Sequence, residues 1–202
     1  MKLVEIFKSI QGEGKNQGKP TVFIRLAGCN LDCSWCDTPG SHDAGEEIDN
    51  DEIVKRVDES GCKEICITGG EPLLQVSELR VLLSRLSRLG YSIEIETNGT
   101  IDFRQVQDNA TICMDVKCPS SGEQSDLSLL RKITSGDSVK FVVGDLEDCR
   151  YAEGVIQHHP IRGEIFFSPV AGSDYHELAC HVLDNNLPVR FQVQLHKIIG
   201  VR

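Results

Sequence analysis

The chain has 202 residues, 40% hydrophobic and 26% charged, with 31 acidic residues against 21 basic ones and a formal net charge of −10. That length is enough for one domain over residues 1–202 with a core of its own, and a surface of this sign repels a polyanion, so no nucleic-acid partner is expected. No run approaches the roughly 18 apolar residues of a membrane span, and Glu5 puts a carboxylate where an export signal needs apolar residues; no membrane partner and a cytoplasmic address are therefore expected.

Short apolar or β-branched runs alternate with segments of helical spacing. The first clear strand is Thr21–Leu26, followed by a cysteine-rich loop. A helix over Asp51–Glu59 comes next, with Asp49 as its N-cap and Gly61 as its stop, and Ile53, Val54 and Val57 on one face. A strand at Glu64–Thr68 leads into Thr68-Gly69-Gly70-Glu71-Pro72. The helix Val76–Leu89, stopped by Gly90, carries Leu79, Leu82, Leu83 and Leu86 on one face. Further strands are expected at Tyr91–Glu96, Thr111–Val116, Ser138–Val143 and Glu164–Ser168. A helix over Tyr175–Asn185 with Ser173 as N-cap and a last strand at Val189–Leu195 complete the chain. Alternating strand and helix imply a parallel sheet with right-handed crossovers. A closed eight-unit barrel takes about 250 residues, so the expected fold is α/β, an open, partial barrel of about six parallel units. Its chemistry should lie beyond the C-terminal ends of the strands.

Nine cysteines in a chain with no export signal point to metal rather than disulfides. The strongest group is Cys29-Asn30-Leu31-Asp32-Cys33-Ser34-Trp35-Cys36, directly after the strand Thr21–Leu26. Three thiolates within eight residues can converge on one centre. Packing alone is the bland alternative. Structural zinc is the serious competitor, but it wants four closed ligands. No second C-x2-C pair is present, and the nearest histidine, His42, sits in the turn Pro39-Gly40-Ser41-His42. Three ligands and an open position suit a reactive metal. Cys62, Cys66, Cys113, Cys149 and Cys180 read as buried packing residues, and Cys118, at a strand end beside Lys117, is left open.

The glycines of Thr68-Gly69-Gly70-Glu71-Pro72 allow a ligand to approach the backbone. Glu71 could accept from an ammonium group, and Pro72 could begin the next helix. Alone, this is equally an ordinary strand-to-helix turn.

C-x3-C-x2-C followed by glycine–glycine–glutamate–proline resembles the radical S-adenosylmethionine (SAM) superfamily. The resemblance implies a radical SAM core with a four-iron, four-sulfur (4Fe-4S) cluster on Cys29, Cys33 and Cys36. The open iron would bind SAM, and one electron would release a 5′-deoxyadenosyl radical. The run Glu5-Ile6-Phe7-Lys8-Ser9-Ile10-Gln11-Gly12-Glu13-Gly14, together with Arg25, Cys36-Asp37-Thr38, Glu96-Thr97-Asn98-Gly99-Thr100 and the late His196-Lys197, is similar to the 7-carboxy-7-deazaguanine synthase family. That likeness implies a carbon–nitrogen lyase of queuosine or 7-deazapurine biosynthesis. Its substrate would be 6-carboxy-5,6,7,8-tetrahydropterin, contracted with loss of ammonia to 7-carboxy-7-deazaguanine.

The resemblance also assigns roles. SAM contacts fall on Trp35, Cys36, Asp37, Gly70, Glu71, Asp115 and Lys117. Substrate contacts fall on Ile10, Gln11, Gly12, Glu13, Arg25, Thr68, Glu96, His196 and Arg202, and Mg2+ on Thr38. Arg25 offers a planar fork for a carboxylate and, lone in Val22-Phe23-Ile24-Arg25-Leu26, needs a partner. The loop Met114-Asp115-Val116-Lys117-Cys118-Pro119-Ser120-Ser121 lacks the Ser-Pro that many members carry near the last strand-end lysine. The short interval Thr38–Asp49 implies a trimmed core after the cluster. A homodimer and a flavodoxin- or ferredoxin-type electron donor are further implications. Two alternatives remain: a radical activase of a glycyl-radical enzyme, and a non-enzymatic iron–sulfur or zinc module.

Overall fold

The computed structural model describes residues 1–42 and 45–202. Among the described residues nine strands form one sheet: β1 (Lys2–Ile10), β2 (Pro20–Leu26), β3 (Glu46–Glu47), β4 (Glu64–Gly69), β5 (Ser92–Thr97), β6 (Thr111–Val116), β7 (Ser138–Val143), β8 (Glu164–Pro169) and β9 (Arg190–Phe191). Their order is β3-β1-β2-β4-β5-β6-β7-β8-β9. Every neighbouring pair from β2 to β9 is parallel, which makes six parallel pairings and matches the expected open barrel. β1 lies outside the strand–helix alternation and pairs antiparallel with β2, with Phe7 opposite Phe23 and Glu5 opposite Arg25.

Five helices follow: α1 (Asn50–Glu59), α2 (Val76–Arg88), α3 (Leu146–His158), α4 (Tyr175–Asp184) and α5 (Leu195–Ile199). Asp49 caps α1 by accepting from the Glu52 N–H at 2.8 Å, and Gly61 follows its end at φ +65°. Gly90 likewise follows α2 at φ +77°. The α4 cap is Asp174 rather than Ser173: its carboxylate accepts from Glu177, whereas the Ser173 hydroxyl donates to the Val170 carbonyl. The final strand is also shorter than expected. Only Arg190–Phe191 pair with β8, and Leu195 starts α5. Val189–Leu195 has the right residue types but lies at the sheet edge, and its backbone turns toward the loop after β1. No described helix is long and apolar enough to cross a membrane.

Strand period two divides the sheet into two chemically different faces. Outward residues such as Ile65, Ile67, Ile93, Ile95, Ile112, Met114, Val139 and Phe141 join Ile53, Val57, Leu79, Leu82, Leu83 and Leu86 in one apolar cluster. The alternate residues are polar: Cys66 and Thr68, Glu94 and Glu96, Cys113 and Asp115, Ser138 and Lys140. Burying the first set drives folding, and it leaves the second set facing the barrel interior.

The edges of the sheet do not pair with each other. The loop Gln11–Lys19 spans the gap instead. The Gly14 N–H donates to Gln192 Oε1 at 2.7 Å, and Gln192 Nε2 returns a bond to the Gly14 carbonyl at 3.1 Å. Gln17 Nε2 donates to Gly12 and Val193 carbonyls at 2.9 and 2.8 Å, and the Leu195 N–H donates to Gly12 at 3.0 Å. Gln192 is buried, so its replacement by Leu strands both backbone groups of Gly14. Leaving buried polar groups unpaired costs about 1–3 kcal/mol each. Gln192→Leu is expected to lower the urea unfolding free energy by about 2 kcal/mol; a loss within the roughly 0.5 kcal/mol of a neutral surface change would mean that the loop does not close the barrel.

Candidate active site

The loop after β2 and the loop after β4 are wedged together at the top of the sheet. Gly69 has φ +145°, and a Cβ there would lie 2.0 Å from the Leu26 carbonyl oxygen. A Cβ on Gly70 would lie 2.2 Å from the Gly28 carbonyl oxygen. The close approach that these glycines permit is therefore made by the cysteine loop itself. The Glu71 N–H donates to Gly28 at 2.8 Å, and the Glu71 carboxylate is buried beneath the loop. It accepts from the Asn98 N–H at 2.7 Å, the Leu73 N–H at 2.9 Å and the Thr97 hydroxyl. Glu71 thus differs from its expected role: its oxygens tie the β4 and β5 loops together and do not line the cavity beyond them.

That cavity, of about 450 Å³, is lined by Cys29, Cys33 and Cys36 with Trp35, Asp37 and Thr38, and by Gly70, Asp115 and Lys117. Opposite them stand Ile10, Gln11, Gly12, Glu13, Arg25, Thr68, Glu96, His196 and Arg202. Every site residue expected from the sequence except Glu71 is there. The three cysteines are half-buried, whereas Cys66, Cys113, Cys118 and Cys149 are buried. Burial raises the Cys33 thiol, Lys117 opposes that rise, and Cys36 and Cys29 add to it. Three thiols close enough to hinder one another's ionisation fit a cationic metal centre, which would offset that repulsion. His42 Nε2 lies 3.7 Å from Cys36 Sγ, nearer than its turn implied.

The wall nearest the cysteines carries Trp35, whose Nε1 donates to Ser120 at 3.0 Å, and Lys117, whose ammonium lies 5.5 Å from the indole centre. Lys117 pairs with Asp115 at 3.3 Å. Burial lowers the Lys117 pKa, but Asp115 and Cys33 outweigh it and hold the amine above its ordinary value.

The deeper wall is organised by a residue that sequence reasoning missed. Lys140 is 4% exposed and donates to Glu13 at 2.7 Å, with Asp115 at 3.3 Å. Burial disfavours its charge, yet Asp115, Glu13 and Glu96 keep it firmly protonated. Burial also pushes Glu13 up, but Lys140 and the Ser168 hydroxyl at 2.8 Å prevail and bring it to about 2. The signal was available: Lys140 is a lone cation in Val139-Lys140-Phe141-Val142-Val143, the same pattern that singled out Arg25.

Gln11 Nε2 donates to one oxygen of Glu96 at 3.3 Å and the Thr68 hydroxyl to the other at 3.2 Å. His196 packs so closely on Gly12 that a Cβ there would sit 1.8 Å from Nδ1; its pKa is lowered, first by burial. Arg25 Nε donates to Glu5 at 2.8 Å, beside stacked Phe7 and Phe23. Arg202 shares the Glu5 carboxylate and lies over the Phe7 ring. Glu5 is the partner that a lone Arg25 required.

A family model described as the Radical SAM superfamily matches residues 23–140. The chain is 53% identical over 201 residues to the 7-carboxy-7-deazaguanine synthase of Methanospirillum hungatei, covering 100% of this chain and 86% of that one. It is 36% identical over 220 residues to the protein of that name from Koribacter versatilis, covering 98% and 96%. The crystal structure of QueE from Escherichia coli has a similar fold, with a TM-score of 0.80 at 24% identity over 96% of this chain and 94% of that one.

Removing Lys140 leaves buried carboxylates without their cation, and breaking such a pair from one side costs about 3–5 kcal/mol. Glu13 is depressed in the fold, so its contribution is complete above about 4.5 and is lost as pH falls through about 2. In Lys140→Met, protonation instead relieves an unpaired buried charge. The stability gap between Lys140→Met and wild type, measured by urea titration, is therefore expected to narrow as pH falls across that window; a constant gap would refute the pairing.

Proposed function

The chain belongs to the radical SAM superfamily and within it to the 7-carboxy-7-deazaguanine synthases, and from that premise we propose that it converts 6-carboxy-5,6,7,8-tetrahydropterin to 7-carboxy-7-deazaguanine with loss of ammonia. The observation that carries this reading is the two-sided cavity. Three cysteines and Lys117 line one side, and carboxylates, amides and an arginine suited to a polar bicyclic acid line the other.

Cys29, Cys33 and Cys36 would hold a 4Fe-4S cluster, and Trp35, Asp37, Gly70, Asp115 and Lys117, which line the same side of the cavity, would bind SAM. When bound, the pair supplies a 5′-deoxyadenosyl radical. The protein's own residues then do the positioning. Arg25 receives the substrate carboxylate, exchanging Glu5 for it in a bidentate pair. Glu96, oriented by Gln11 and Thr68, accepts from the N–H edge of the pterin. Glu13 keeps its charge beside Lys140 and accepts a second N–H. His196 closes the mouth against Gly12, and Arg202 covers the carboxylate end. Thr38, which lines the cavity, would offer its hydroxyl as a ligand to Mg2+, which would supply charge stabilisation to substrate oxygens. The proposal extends to a homodimer and to a flavodoxin- or ferredoxin-type electron donor.

Three expected outcomes test this reading. Anaerobically reconstituted protein given SAM, reductant, Mg2+ and the pterin should form 7-carboxy-7-deazaguanine by liquid chromatography–mass spectrometry, and Ala at Cys29, Cys33 or Cys36 should remove both cluster absorbance and deoxyadenosine. Deoxyadenosine without the deazaguanine would show the substrate to be wrong. For Thr38→Ala, the Mg2+ concentration giving half-maximal rate should rise about tenfold, the loss of roughly one inner-sphere bond; an unchanged titration would remove Thr38 from the metal site.

A further inference from the structure

Below Glu96, on the same inward face of β5, lies Glu94. It is 3% exposed, and its Oε1 has no hydrogen-bond partner among the described residues. The other oxygen accepts only a 3.4 Å bond from Asn16 Nδ2, on the loop that closes the barrel. Glu94, Glu96 and Cys66 each bring one atom within 4.8 Å of the others. The groups facing Glu94 are Glu96 on its own strand, Cys66 on β4, Cys113 on β6, Lys140 on β7, and Lys15 and Asn16 on the loop.

Such a trio can be read as a cation site or as a proton site. Burial pushes the Cys66 thiol well above its ordinary value, with Glu96 and Glu94 adding to the rise, so it remains a thiol rather than a ligating thiolate. The Lys140 ammonium already supplies a positive charge to Glu94 and Glu96. Both facts favour a proton over a divalent ion. Burial, and then the charge of Glu96, raise Glu94 to about 7, while Lys140 and Asn16 resist. A carboxyl poised there exchanges protons readily at neutral pH.

We propose that Glu94 is a proton relay between the substrate-facing carboxylate of Glu96 and solvent at the floor of the barrel, with Asn16 at its outer end. This rests on the reading of Glu96 as a substrate contact. Loss of ammonia from a saturated ring takes one proton off the ring, here from the N–H that Glu96 accepts. That electron pair forms C=N as the C–N bond to the amine breaks, and one proton goes to the departing nitrogen. The proton taken by the Glu96 carboxylate passes to the Glu94 carboxylate through one bridging water, which the separation of up to 4.8 Å between them admits. It leaves past Asn16 to water, which regenerates Glu96. The second proton reaches the nitrogen from the solvent side of the cavity. No electrons move in either transfer. Glu94 acts through Glu96 and is a positioning residue in this sense.

Glu94→Gln keeps the shape and removes the exchangeable proton. Substrate affinity should stay within about twofold and SAM cleavage to deoxyadenosine should persist. Product formation should fall about 10²-fold, the lower end of what a positioned proton-transfer group contributes. The acid limb of the wild-type pH–rate profile, centred near about 7, should vanish in the variant. Glu94→Asp should recover part of the rate, and Asn16→Leu should slow turnover while leaving affinity intact. A Glu94→Gln enzyme with wild-type rate and pH profile overturns the relay, as does stoichiometric zinc that is lost with either Glu94→Gln or Cys66→Ala. Infrared difference spectra of the substrate-free protein give an activity-free readout. A protonated-carboxyl band should be present below about 7 and lost above it, and it should be missing in Glu94→Gln. Its absence from the wild type overturns the proposal whatever the substrate. Its presence in a protein that fails to turn over the pterin would sink the substrate reading and leave the proton site standing.

Discussion

Lys140 donates to Glu13 across 2.7 Å and stands 3.3 Å from Asp115, inside a barrel whose outward face is packed with isoleucine, leucine and phenylalanine. Charges in such surroundings are tolerated only when each finds an opposite partner and its remaining lone pairs or protons are bonded. Lys140 is the point where three elements meet that requirement at once: the loop after β1 through Glu13, β6 through Asp115, and its own strand β7. Without that cation the loop would have to withdraw its carboxylate, and the loop is also what bridges the unpaired edges of the sheet. Electrostatics inside the barrel and closure of the barrel are therefore one problem with one solution.

The same economy governs the mouth. The β2 and β4 loops can be in contact only because Gly69 and Gly70 have no side chain where Leu26 and Gly28 pass. Glu71 then locks the β4 loop to β5 through Asn98 and Thr97. The cysteine loop is held from beneath by main-chain contacts, so the three thiols are set by the packing of strand ends. Strand ends suit this role because the apolar helices on the outer face immobilise them.

Much of this was legible in the sequence. Period-two runs and amphipathic spacing gave most of the parallel strands and the helices α1, α2 and α4, because burial on one face leaves a periodic trace. The three-cysteine loop was legible because its spacing is rare without metal. Features set by contacts between distant segments were not. β1 joins antiparallel between β2 and the short edge strand β3 and breaks the strand–helix alternation. The run Val189–Leu195 has strand propensity throughout, but only two of its residues find a partner strand, since pairing depends on what the loop after β1 leaves free. Glu71 has the right chemistry for an ammonium and spends it inside the fold. Lys140 left a local signal, a lone cation in a five-residue apolar run, and shows that the argument applied to Arg25 holds for any buried strand charge.

From mouth to floor the interior holds four carboxylates, Asp115, Glu13, Glu96 and Glu94, against two ammonium groups, Lys117 and Lys140. Full ionisation would leave two uncompensated negative charges in a medium that stabilises them poorly. The two carboxylates closest to lysines, Asp115 and Glu13, take the available cations. Glu94, whose Oε1 has no partner among the described residues, answers the excess by holding a proton, its pKa lifted to about 7. Glu96, at the cavity wall, is pushed up by burial while Lys140 opposes the rise; it has two modest donors in Gln11 and Thr68 and further lone pairs to satisfy. A ligand presenting adjacent N–H groups to Glu96 completes the hydrogen bonding that the protein leaves open. A ligand with only acceptors there would leave those lone pairs unsatisfied. The interior thus favours a donor edge by its own hydrogen-bond balance, before any shape complementarity is considered.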